Sequence, residues 1–127
     1  MKAYTDIEQS KKLAEILPLE SADMYYMETS CNNYTTGVLQ RLEKDMLLNK
    51  AEYYKMFACW SLASLLNVIP KRIDEFNVLR IDISNDFSVW YDELGYGVNN
   101  ELPDVTKEYA VDACYEMILK LHELNLL

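Results

Sequence analysis

The sequence predicts an α+β fold, a single small domain over residues 1–127 with helices packed on a small, mostly antiparallel sheet. Three observations predict it. Alternation in "VLRIDIS", followed by "FSVWYDEL", marks a β-hairpin over 78–92. Apolar residues at helical spacing, closed by proline, occur in both "LAEILP" and "LASLLNVIP". A long amphipathic run after Pro103 predicts a C-terminal helix over 105–124. Half of the 127 residues are apolar and only three each are Gly and Pro, which suits one compact core.

The first helix is expected at about 6–17, with Thr5 and Glu8 at capping-box spacing and Pro18 as its stop. "SADMYYM" then reads as a strand with both faces partly apolar, after a turn at Ser21 and Asp23. Residues 29–57 mix two periods. Val38, Leu39, Leu42 and Met46 suit a helix over about 38–48, while Tyr34, Thr36 and Val38 suit a strand entering it. Ser61 is placed to cap the next helix, Trp60 to staple it on Leu65, and Pro70 to close it. In the hairpin, Ile83 opposite Phe87 sets Arg80 opposite Trp90, where a guanidinium can cover the indole. "GYGVNNELP" is a loop before the last helix.

Charge is segregated along the chain. The net charge is −9, and between Asp82 and Glu116 nine acids face one base, Lys107. Nucleic-acid phosphate and anionic lipid need basic surfaces, so direct binding to either is disfavoured, and a basic protein partner is the consistent alternative. "MKAYTDIEQSKK" lacks the apolar core of an export signal, and "MFACWSLASLLNVI" is shorter than the ~20 residues of a membrane helix. Cys31, Cys59 and Cys114 are odd in number and widely spaced, which predicts free thiols in the cytoplasm. With a single histidine, His122, no metal site or other cofactor is expected, and a Cys–His catalytic pair has no local support. "GYG" at 95–97 is not a phosphate loop.

Three segments carry a resemblance: "LPLESADMYY" at 17–26, "CWSLASLLNVIP" at 59–70 and "VDACYEMILKLHELNLL" at 111–127. Together they resemble a family of small acidic proteins from anaerobic gut bacteria and their mobile elements, in which a related "PAWSLSALL" segment recurs. Ala58 stands where that pattern has proline. The resemblance implies a small α+β domain and carries no established activity.

Most candidate site residues come from the last predicted helix, with Trp90 of the hairpin beside them. Asp104, Glu108, Asp112 and Glu116 recur every fourth residue, and a wheel sets them opposite a core face of Ala110, Ala113, Cys114, Met117, Leu121 and Leu124. A catalytic pair or a cation needs converging, partly dehydrated oxygens, so a convex stripe reads first as a solvated face, with Glu116 pairing Lys120. Val111, Tyr115 and Leu119 form a second apolar row beside these acids, awaiting cover by the chain or by a partner. The leading expectation is therefore a non-enzymatic protein-interaction domain. Its partner-binding residues would be Trp90, Glu108, Asp112, Tyr115, Glu116 and Leu119, meeting a basic protein or a second copy. Two alternatives stand beside it: a nucleic-acid mimic that inhibits a DNA-binding protein, and a small enzyme or ligand-binding protein whose cleft is lined by tyrosines, including the pairs Tyr25–Tyr26 and Tyr53–Tyr54.

Overall fold

A computed structural model describes residues 2–48 and 55–127. Helix α1 (Ile7–Ala14) leads through a 3-10 turn at Leu19–Ser21 to strands β1 (Met24–Ser30) and β2 (Asn33–Val38). Helix α2 (Arg41–Leu48), strand β3 (Met56–Cys59) and helix α3 (Leu62–Val68) follow. Strands β4 (Asn77–Ile83), β5 (Phe87–Glu93) and β6 (Val105–Lys107) precede helix α4 (Ala110–Glu123). The fold class is α+β as expected, but the strands form two antiparallel three-stranded sheets rather than one, ordered β2-β1-β3 and β4-β5-β6. The expected pair Tyr53–Tyr54 lies outside the described residues.

Helix α1 starts one residue later than its sequence cap suggested. Asp6 accepts from Gln9 N at 2.8 Å while the Gln9 side chain accepts from Asp6 N at 3.1 Å, so the capping box is Asp6–Gln9 and not Thr5–Glu8. Thr5 is fully buried instead: its Oγ1 accepts from Trp60 N at 3.1 Å and lies 2.7 Å from Ser10 Oγ. The segment before α1 thus runs as a strap beside the junction of β3 and α3, with Thr5 N donating to Trp60 O at 2.9 Å. Its shape follows from satisfying buried backbone groups.

In the first sheet β1 and β2 make a hairpin turned at Cys31 and Asn32, where Asn32 adopts φ 62°, a conformation Asn tolerates. The strand suggested by Tyr34, Thr36 and Val38 is therefore present, and the helix after it begins only at Arg41. Gly37 lies opposite Tyr25, and a Cβ there would meet the Tyr25 ring at 2.7–2.8 Å. On the other face Tyr4, Tyr26, Tyr34 and Phe57 pack ring against ring, and Lys11 sits 5.4 Å above Phe57.

Helix α3 is capped by Ser61, which accepts from Ser64 N at 3.3 Å and is itself held by Asp23. The second hairpin has the expected register, Ile83 opposite Phe87 and Arg80 opposite Trp90. The C-terminal helix is shorter than 105–124, because Val105–Lys107 pairs with β5 as a third strand. Val105 and Thr106 are β-branched and suit a sheet edge better than a helix start. Helix α4 packs on α3 and on β5 and β6. Val111, Ala113, Cys114, Met117, Ile118 and Leu121 are buried there, against Phe87, Val89, Tyr91 and Val105 of the sheet and Trp60, Leu65 and Ile69 around α3. Leu124, expected on the core face, caps the helix and is 49% exposed.

Candidate partner-binding surface

The shortened helix redistributes the four carboxylates. Asp104 flanks β6 and Glu108 follows it, so only Asp112 and Glu116 lie on α4. Asp112 does not stand on a solvated face. It accepts from Lys2 Nζ at 2.6 Å and from Gln9 Nε2 at 2.8 Å, tying the N-terminal strap and α1 to the first turn of α4. Partial burial raises its pKa, but these two hydrogen bonds and the Lys2 charge outweigh burial and hold the carboxyl below its ordinary value. Glu116 pairs with Lys107 of β6 at 3.2 Å rather than with Lys120.

Two residues of the second apolar row, Val111 and Tyr115, pack into or against the core. Val111 is fully buried and Tyr115 packs partly buried against the core. Burial raises the Tyr115 hydroxyl pKa, helped by the charges of Asp6, Glu116 and Glu8. Leu119 is half-buried and lines a depression with Ile16 of the turn after α1, Lys12, Glu15, His122 and Glu123. Helix α4 packs on α3 as well as on the sheet, so its apolar surface extends beyond one sheet-facing stripe.

Trp90 and Glu108 lie elsewhere. The cross-strand pairs Val78–Asp92, Arg80–Trp90 and Asp82–Ser88 put these six side chains on the face of the second sheet turned away from α4. Ser88 joins Thr106 of β6 at 2.8 Å on the same face, and the exposed Asp104 and Glu108 stand two residues either side of Thr106. Trp90 is partly exposed in the middle of this surface. The Arg80 guanidinium is directed to Asp92, with Nε 3.4 Å from Oδ2, where a stack on the indole had been expected. Asp82 and Asp92 therefore share the face of Trp90 with Arg80, and the exposed Asp104 and Glu108 flank β6 on the other side of β5. The signal for this was already present in the alternation of β4 and β5, but reading residues 105–109 as helix hid the third strand.

Other chemistries find little footing. Cys59 and Cys114 are buried, and burial raises both thiols, Cys114 to about 12, which suppresses the nucleophilic thiolate. His122 is exposed on α4. Among the described residues no three His, Cys, Asp or Glu side chains converge as metal ligands do, and no helix is long and apolar enough to cross a membrane. Tyr26 and Tyr91 bury their rings and donate to the Thr5 and Pro70 carbonyls, each at 2.7 Å, so these tyrosines pack rather than line a cleft. Comparison with protein-family models, curated proteins and solved structures finds no match to this chain.

Proposed function

We propose that the chain is a non-enzymatic, cytosolic protein-interaction domain that takes a basic protein partner on its acidic 82–116 segment. The observation that carries this reading is the partly exposed Trp90 on a sheet face with the exposed Asp82, next to a β6 strand flanked by the exposed Asp104 and Glu108. Aromatic anchors flanked by complementary charge are the residues that dominate protein interfaces. The binding residues retained from the expected set are Trp90 and Glu108. Asp112 and Glu116 tie the N-terminal strap, α1 and β6 to α4, and Tyr115 packs against the core, so in this reading they serve the fold, and the half-buried Leu119 takes no part in binding. The resemblance to proteins of mobile elements supports, by itself, a role as an accessory factor of such an element.

A fluorescent oligo-arginine peptide, titrated at low and at physiological salt, tests the reading. Binding should weaken with salt, as expected for exposed charges. Reversing Asp82, Asp104 and Glu108 to lysine removes three rim interactions of ~0.5 kcal/mol each, about tenfold in affinity. Trp90→Ala should weaken binding further without changing its salt slope. Equal affinity of wild type and the triple variant would remove the proposal.

A further inference from the structure

Strand β4 is an edge of its sheet, and only half of that edge is covered. Leu79 N donates outward to Lys71 O at 2.9 Å and Ile73 N donates to Asn77 O at 3.1 Å, so residues 71–73 shield the first part of the strand. In an antiparallel ladder the outward direction repeats every second residue, which points the N–H and C=O of Ile81 and Ile83 away from β5 as well. Among the described residues no backbone group pairs with them there. Their side chains face the same side as the buried Val89 and Phe87, yet Ile81 is 41% and Ile83 75% exposed. A groove of about 490 Å³ lies alongside, lined by Leu66, Lys71, Val78, Leu79, Arg80 and Ile81.

We infer that the open half of β4 is a strand-addition site for an extended peptide of a partner protein, an edge that adjoins the face of Trp90 and shares Asp82 with it. The added strand completes the ladder at Ile81 and Ile83 and lays apolar side chains beside theirs, extending the core side of the sheet. Charge sets its composition and direction. A strand running antiparallel to β4 carries a base opposite Asp82 and, two residues later, an acid opposite Arg80, with apolar residues between and before them. A second copy fits worse: residues 71–73 block pairing at Leu79, and the first antiparallel register clear of them sets Asp82 against its own counterpart.

The probe is the end-blocked peptide Thr-Val-Lys-Val-Glu-amide, added to the full-length isotope-labelled chain and followed by amide NMR. Shifts are expected at Ile81, Ile83 and Leu66. Methylating the peptide nitrogens of both valines should abolish them. Ile81→Pro removes an outward N–H together with the Ile81 side chain and no inward hydrogen bond, so the β4–β5 ladder survives and the peptide should weaken at least about tenfold. The inference is overturned if no β4 shifts appear, or if they persist with the methylated peptide or at undiminished affinity in the Ile81→Pro variant. It is equally overturned if the edge proves occupied by a second copy, seen as concentration-dependent β4 shifts without peptide. Should Ile81→Pro fail to fold, the methylated peptide alone decides.

Discussion

Asp112 shows how much one carboxylate can mean for assembly. Lys2 and Gln9 reach it from a part of the chain more than a hundred positions away, and it is these two donors that depress its pKa against the opposing effect of burial. A group whose folded pKa lies below its unfolded value contributes stability above the unfolded pKa and loses it as pH falls through the folded one. Asp112→Asn is therefore expected to cost about 1 kcal/mol at neutral pH, from charged hydrogen bonds that are partly solvent-screened. Urea titrations of the two proteins should converge as pH is lowered below the ordinary aspartate value of 3.8. Nothing local in "AVDACYEM" distinguishes Asp112 from a solvated acid, since both partners are remote. Residue-scale sequence reading saw its charge and its helical position, and could not see its neighbours.

The elements were read well where their signals are local and less well where a neighbouring strand arbitrates. Ser61 caps α3 because cap and helix are consecutive, and the 78–92 hairpin keeps its register because the turn and the apolar alternation agree. Helix α1 separates two adjacent residues that sequence spacing alone does not. Asp6 takes the cap and Thr5 goes into the core, where its hydroxyl serves Trp60 N and Ser10. Asp6→Ala should cost ~1 kcal/mol, the ordinary value of a lost cap. Thr5→Val keeps the shape but orphans a buried N–H, and should cost ~1–3 kcal/mol. Thermal unfolding of the two variants ranks them, and a harmless Thr5→Val would contradict the burial of that hydroxyl. Strand β6 was missed because three residues of "VTK" have no periodicity of their own. Their pairing with Phe87–Val89 makes the strand, and it moves Asp104 and Glu108 off the helix.

At the scale of the whole molecule one hydrophobic cluster joins the parts. Ala58 and Trp60 bring in the first sheet and its exit, Val89 and Tyr91 the second, and Met117, Ile118 and Leu121 the helix packed against them. Leu121→Ala should cost ~2–5 kcal/mol, the range for a truncated core leucine. Because the core is shared, amide exchange should show the most protected residues of both sheets losing protection by the same amount. Protection lost in one sheet alone would mean that the two halves unfold separately. Composition and periodicity by themselves determined the α+β class, the hairpin and its register, the capped α3 and an amphipathic C-terminal helix, all set by residues within a few positions of one another. Only the tertiary structure decided that there are two sheets, that Val111 is buried and Asp112 is tied to Lys2 and Gln9, and that Trp90 shares its sheet face with Arg80, Asp82 and Asp92. The physical reason is that a helix wheel or a strand alternation defines the faces of an element, while the side of the core or the solvent each face meets depends on what the rest of the chain packs against it.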